Sequence, residues 1–547
     1  MSDIDANTIV PREIMAELRA KQGKGRIYGI DSLFSNFSPA QAVSALATMF
    51  WDCPEEFASD ALSAKCFHTK EKPCAPEQGS LAIYYYRMGI GGGERVTRDL
   101  IKLWRSIGFR VSLITDFPPE ETDYDLPTDV PRFTLPPFDT IGGNEYGTRA
   151  EALESIIKEQ NITHVVYGQW LSPLLLWDEL VIKACGCRLT IYTHGMFGMI
   201  FSETDSSFCN LPAAYQLADS VVCLDKASAA FWSNFNKNVF VTINPNPFDL
   251  NKIAPASLEE KTVLWLGRFS AYDKCPFEAI LIMQEVAALD KDVRLLMVGP
   301  CDDDYRAFLE REISARDLND NIALCGPQQN VFDYYRESSV FLMTSKFEGY
   351  PLTLAESKAA GVPCVMYALP YLTLAEQERG ITSVPFGDRK GAAQEIIRLI
   401  HDTAYRKSMG RDARCHIEKI ASFDFRTFWL DVLHGQSDES HVYDKKYHIM
   451  AWEIALSYTK GRIEATNREI DQLIQHQTEL HTYTEAIETA SSQSNAVITE
   501  QAERIKELEE TLQSTSRELE EILQSKTFRL GSTLMYIPSK IKSASKH

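Results

Sequence analysis

Two glutamates, Glu348 and Glu356, frame the segment FEGYPLTLAESKAAGVPCV, and the residues between them decide what such a carboxylate pair can do. Pro351 and Leu352 open a helix after Glu348, and Gly361 with Pro363 ends it. On one continuous helix the eight-residue offset would span about 12 Å. Here the first carboxylate falls in the preceding loop and the second inside the helix, so the two can touch different parts of one elongated ligand. The helix start aims free N–H groups from Gly349, Tyr350 and Leu352 at the space between them, which favours an anion such as a diphosphate. As bare spacing, two glutamates eight apart are also what a surface helix carries.

Positive charge suited to that anion stands in VLWLGRFSAYDKCP, where Arg268 and Lys274 follow a strand. Parallel α/β folds bind ligands at the C-terminal ends of their strands, and two cations there neutralise a leaving diphosphate without a metal. Upstream, GIGGGERV follows LAIYYY and opens a helix, so Gly91, Gly92 and Gly93 let the backbone approach a phosphate closely. The run does not fit GxGxxG, and a tight turn would use the same glycines. His194 closes LTIYTHG; alone, a histidine at a strand end is most often structural. Cys53, Cys66, His68 and Cys74 lack the spacing of paired zinc ligands. Neither a metal nor any other cofactor is expected.

The elements that must position these residues alternate in a regular way. From Leu81 the short β-branched or aromatic runs LAIYYY, RVSLIT, HVVYG, LTIYTHG, SVVCLD and VFVTI are separated by amphipathic helical stretches. After DLNKIAPASLEEK a second series follows: VLWLG, RLLMVG, NIALCG, VFLMTS and PCVMY. Such alternation describes parallel sheets. The expected fold is therefore α/β with two facing, doubly wound, Rossmann-like domains, at 81–250 and 251–435. Residues 1–80 form an accessory segment with helices opened by Pro11 and by Ser38-Pro39, ending in a turn-rich linker.

Together these residues resemble the family 4 retaining glycosyltransferases, of the two-Rossmann GT-B architecture. The resemblance runs from about Leu81 to Leu433 and includes the glycine-rich loop, the THG histidine, NPNPFD before the second domain, the Arg and Lys pair and the two-glutamate motif. It implies a nucleoside-diphosphate sugar as donor, a glycan or lipid-linked acceptor, and metal-independent hexosyl-type transfer with retention by front-face attack. In that reading Arg268 and Lys274 grip the diphosphate, Glu348 lies against the donor sugar, Glu356 bonds the ribose hydroxyls, and His194 contacts the donor sugar. Gly92, Gly93, Gly349, Tyr350 and Leu352 complete the donor site. Tyr350 and Pro351 stand where the family usually has phenylalanine and glycine, and Pro351 removes one backbone donor. The stretch FDFRTFWLDVLHG resembles the segment that ends the GT-B fold by packing across both domains. A glycosidase also uses two carboxylates, but has no need of the basic pair.

The whole chain has 547 residues, 44% hydrophobic and 24% charged, which excludes disorder throughout and implies about three or four domain-sized units. With 76 acidic against 56 basic residues, the formal charge of −20 repels phosphate backbones and excludes general nucleic-acid binding. The 12 cysteines lack any CxxC and read as small buried hydrophobes. No run of about 18 apolar residues occurs, and MSDIDANTIV has neither region of a secretory signal, so a cytoplasmic protein is expected.

Between Arg462 and Leu530 there is neither glycine nor proline, which permits very long helix over 436–525. Ile463, Ile470, Leu473, Gln477, Leu480, Thr484 and Ile487 form one heptad strip, and Ile498, Ile505, Leu508, Leu512, Leu519 and Ile522 another. The expectation is a coiled coil that joins copies of the chain, against the alternative of one solvated helix on the enzyme. Residues 526–547 carry Lys526, Arg529, Lys540, Lys542 and Lys546 with no acidic residue, among Phe528, Leu530 and Tyr536. This reads as an anchor on the anionic inner face of the cell membrane, or as a solvated terminus. It also resembles the closing segment of some bacterial cell-surface polysaccharide glycosyltransferases. A catalytically silent sugar-nucleotide module used as a coiled-coil scaffold, or an assembly factor, are the alternatives to an enzyme.

Overall fold

The computed structural model describes residues 30–51, 61–68, 79–89, 91–137, 142–201, 210–245, 249–434, 444–490 and 495–525. The helix expected at Pro11, Cys53, Cys74 and the basic tail lie outside them. Two helices come first, α1 (Ile30–Asn36) and α2 (Pro39–Phe50). The first sheet follows as β1 (Ser80–Tyr84), α3 (Gly92–Ile107), β2 (Arg110–Thr115), β3 (Arg132–Thr134), α4 (Tyr146–Glu159) and β4 (His164–Tyr167). It continues through α5 (Leu175–Ala184), β5 (Arg188–Tyr192), α6 (Leu211–Leu217), β6 (Ser220–Cys223), α7 (Lys226–Trp232) and β7 (Val239–Val241). All its strands are parallel, in the order β3-β2-β1-β4-β5-β6-β7.

The second sheet is built from β8 (Thr262–Leu266), α8 (Pro276–Leu289), β9 (Arg294–Val298), α9 (Asp303–Ala315) and β10 (Ile322–Gly326). Then come α10 (Val331–Arg336), β11 (Val340–Met343), α11 (Leu352–Ala359), β12 (Cys364–Tyr367), β13 (Ile381–Val384), α12 (Arg389–His401) and α13 (Thr403–Ala421). Its strands are parallel too, ordered β10-β9-β8-β11-β12-β13. Strands such as SLAIY and HVVY are buried along their whole length, because helices cover both faces of each sheet. The two facing doubly wound domains are thus as expected. Two edge strands, β3 and β13, escaped the sequence pattern: RFT and ITSV are short and half-polar, as edges usually are.

The amino-terminal segment is more closely integrated than an accessory would be. Ser38 and Gln41 form a reciprocal capping box at the start of α2. That helix buries Val43, Leu46 and Phe50 against α4 and α5. Trp51 stacks on Trp177 with ring centroids 5.7 Å apart, and the Ala40 N–H donates to Glu154 Oε2 at 2.7 Å. α2 is therefore a layer of the first domain. Beneath it a wholly buried Arg149 donates to Asp116 at 2.7 Å and to Asp178 at 2.7–3.2 Å. Tyr84, Tyr146 and Tyr167 also donate to these carboxylates, which ties α4 and α5 to the C-terminal ends of β1, β2 and β4.

After the second sheet the chain returns to the first domain. Helix α14 (Phe425–His434) buries Trp429 edge-on to Trp104 of α3 at 5.0 Å and to Tyr192 of β5 at 5.7 Å. Two long helices follow, α15 (Lys445–Ala490) and α16 (Asn495–Gln524). They pack on one another although only four residues separate them, which requires an antiparallel hairpin. Ile463, Ile470, Leu473, Gln477 and Leu480 on α15, and Ile505, Leu508, Leu512, Leu519 and Ile522 on α16, are among the less exposed positions of each helix. Thr466 and Thr515, which the heptad reading passed over, are buried in register with them. Thr484, Ile487 and Ile498 of the expected strips lie outside the described side chains; over the rest, the strips belong to two helices that pack on one another within this chain, a packing that needs no second copy.

Candidate active site

In a doubly wound sheet the loops diverge where the strand order reverses, leaving a crevice at the strand C-termini. The first sheet reverses between β1 and β4, the second between β8 and β11. Gly91 caps α3 after β1, with Gly92 and Gly93 in its first turn, and the loop after β5 carries His194; those after β8 and β11 carry Arg268, Lys274 and Glu348. The two crevices meet. A Cβ on Gly349 would overlap the His194 carbonyl oxygen, and one on Gly92 would lie 3.8 Å from Leu352 Cδ1. Only glycine lets the backbone of the second domain come this close to the first.

Glu348 sits at the centre. Its Oε1 accepts from Lys274 Nζ at 2.5 Å and from Ser345 Oγ at 2.6 Å, while its backbone N–H donates to the Tyr371 hydroxyl at 3.1 Å. Thr344 binds the two loops together: its hydroxyl donates to the Lys274 carbonyl at 2.8 Å and accepts from Trp265 Nε1 at 2.8 Å. Arg268 does not join this cluster. Its side chain is 69% exposed and lies 3.5 Å from Asp273, and its charge reaches Glu94 at the start of α3.

His194 is held between Tyr85, edge-on at 5.2 Å, and Tyr192 at 4.5 Å. Its Nε2 is sealed from solvent and has no hydrogen-bond partner among the described residues. Burial pushes the imidazole down to about 3, so the ring is neutral at any working pH. A neutral ring nitrogen without a partner can exchange one hydrogen bond with a hydroxyl group once the contacts that seal it give way. Tyr350 is buried, and its hydroxyl has no partner among the described residues.

Helix α11 is capped by Pro351 and ended by Gly361 at φ +68°, as its sequence implies. Glu356, on its buried side, is 3% exposed. Burial raises its carboxyl to about 7, opposed chiefly by Arg95 of α3, whose Nη1 lies 3.2 Å from Glu356 Oε1. Sequence reasoning missed Ser345, Tyr371 and Arg95. Arg95 alone left a signal, in the first turn after the glycine run. Among the described residues no three His, Cys, Asp or Glu side chains gather as a metal site, and no helix is long and apolar enough to cross a membrane.

Comparison with known proteins follows the same division. The model of the Glycosyltransferase Family 4 domain matches residues 90–252, and that of the Glycosyl transferases group 1 domain matches residues 249–416. An uncharacterized glycosyltransferase of Haemophilus influenzae is 24% identical over 291 residues, 52% of this chain and 80% of that protein. The amylovoran biosynthesis glycosyltransferase AmsD of Erwinia amylovora is 31% identical over 160 residues, 28% of this chain and 44% of that protein. Among solved structures, a complex of S. aureus TarM with fondaparinux, alpha-GlcNAc-glycerol and UDP superposes with a TM-score of 0.55. It is 10% identical and covers 65% of this chain and 100% of that one, a likeness of fold alone.

Proposed function

Since the chain belongs to the family 4 and group 1 glycosyltransferases with the GT-B fold, we propose that it moves a sugar from a nucleoside-diphosphate donor to a glycan or lipid-linked acceptor in polysaccharide biosynthesis, with retention and without a metal. The observation that supports this is the meeting of the two crevices, with Lys274 on Glu348 and Gly349 against His194. A diphosphate between Lys274, the exposed charge of Arg268 and the start of α11 would be neutralised by their positive potential. Front-face attack asks the protein for charge neutralisation and positioning rather than a strong base. In this reading Glu348 lies against the donor sugar, His194 bonds one of its hydroxyls, and Glu356 takes the ribose.

The amylovoran enzyme among the relatives supports polysaccharide as the product class. The basic tail supports an acceptor at an anionic membrane. Deleting residues 526–547 should reduce sedimentation with anionic vesicles, and added salt should mimic the deletion.

The deciding experiment is a screen of nucleotide sugars for release of nucleoside diphosphate in EDTA, followed by the anomeric configuration of the product by NMR. Turnover that persists in EDTA with retained configuration is the expected result. Loss on chelation with recovery in Mg²⁺, or an inverted product, would refute the corresponding part. Protein that binds nucleotide sugars but transfers to no glycan or lipid-linked acceptor would favour the silent scaffold.

A further inference from the structure

Glu356 is a carboxylate nearly removed from water, and among the described residues the cation beside it, Arg95, comes from the other domain. Arg95 stands in the first turn of α3, directly after the glycine run, and reaches across the cleft so that its Nη1 lies 3.2 Å from Glu356 Oε1. Among the described residues the second domain supplies no counter-charge of its own. The remaining titratable groups facing Glu356 are the hydroxyls of Tyr335, on α10, and Tyr124, in the loop between β2 and β3. The glycine run and the second domain also come near each other here: a Cβ on Gly92 would lie 3.8 Å from Leu352 Cδ1.

We propose that Arg95 is a positioning residue for donor binding: it holds one oxygen of Glu356 and compensates its charge, so that the carboxylate is oriented to accept from the donor and the donor site is completed only when the two domains are closed. The inference rests on the reading of Glu356 as a donor contact. A buried carboxylate without a counter-ion takes up a proton instead of paying the full cost of desolvation. Protonated Glu356 presents one acceptor fewer. With the domains apart, Glu356 loses the contact with Arg95 that orients its carboxylate, so the paired carboxylate exists only in the closed form. Closure and donor binding therefore favour each other, as linkage requires. Arg95 contributes no atom to the transfer itself, so its loss should act on donor affinity more than on the chemical step.

The test is a double-mutant cycle on the full-length enzyme, with Arg95→Met, Glu356→Gln and both together, scored by donor KM and kcat in the nucleoside-diphosphate release assay. Thermal melts confirm folding, and Arg95→Lys serves as a second variant that keeps the charge. Arg95→Met should raise donor KM by roughly ten- to a hundredfold, the scale of a hydrogen bond to a charged group, with kcat much less affected. Donor KM in Arg95→Met should also improve with rising pH, as the uncompensated carboxyl loses its proton, whereas in Glu356→Gln that dependence should vanish. Arg95→Lys should recover part of the affinity. The double variant should bind donor no worse than Glu356→Gln alone. Additive losses would mean that Arg95 acts elsewhere in the site, and would overturn the proposal while leaving Glu356 as a donor contact. An unchanged KM in Glu356→Gln would remove both that reading and this one.

Discussion

At the scale of single residues the site is a set of charges held close to neutrality before any donor arrives. Lys274 lies 2.5 Å from Glu348, a carboxylate only 9% exposed, so each is the other's main compensation. A diphosphate entering beside Lys274 adds negative charge exactly where a lysine is already fixed by the Thr344 bridge to its backbone, which is the preorganisation that lowers barriers. Lys274→Ala removes that compensation and should cost on the order of 10²-fold or more in kcat/KM. Glu348→Gln keeps the shape and the Ser345 contact but loses the charge, so it should lower kcat strongly with an unchanged melting curve. Unaltered kinetics in both variants would move the reaction elsewhere. His194 gives a different signature. An ordinary histidine titrates at about 6.5, but burial holds this one near 3, so it stays neutral as pH falls through the ordinary range. The pH profile of kcat/KM should therefore show no acid limb from imidazole between roughly pH 5 and 8, and a histidine-like limb that disappears in His194→Gln would refute the neutral-ring assignment.

Between residues and the whole lie the elements, and their close approaches are as decisive as their side chains. The start of α11 meets the loop after β5 through Gly349, whose missing Cβ leaves room for the His194 carbonyl. Gly349→Ala should force the crevices apart: transfer should fall by on the order of 10²-fold, the cost of a displacement near 1 Å, while the melting temperature changes little because the contact lies between domains. Full activity in Gly349→Ala would show that the closed contact is not the productive one. Much of this was legible in the sequence, because buried parallel strands announce themselves as apolar runs and their loops inherit the chemistry. The eleven runs read from the chain are all strands, and His194, Arg268, Lys274 and Glu348 all stand in loops at strand ends. What escaped depends on contacts between distant segments. Arg95 reads as one more charge on an amphipathic helix until the cleft closes over it. RFT and ITSV are too short to carry a period, and the apolar face of α2, with Val43, Leu46 and Phe50, does not say which helices it will pack on.

For the molecule as a whole, the long hairpin is rooted in the catalytic body before it leaves it. Ala451 and Ala455 of α15 are buried, Ile454 packs on Gly198, and Tyr458 lies 6.2 Å from Phe347, the neighbour of Glu348. Near the start of α15, Tyr447 faces Lys226 of α7, which bridges to Glu376 of the second domain at 2.8 Å. The first four turns of α15 thus strap both domains, and the part beyond Gly461 projects as an arm whose two apolar strips cover each other. Two truncations separate these roles. Ending the chain at Gly461 removes the arm and keeps the strap, so donor turnover with small acceptors should persist. Ending it at His434 also removes Tyr458 from Phe347 and bares the face around Gly198, so turnover and melting temperature should both fall. Because the strips are satisfied internally, the full-length chain should scatter light as a monomer at micromolar concentration. A dimer that reverts to monomer on truncation at Gly461 would mean that the strips pair between copies, each helix exchanging its partner for that of a second chain, and would restore the arm as an oligomerisation element.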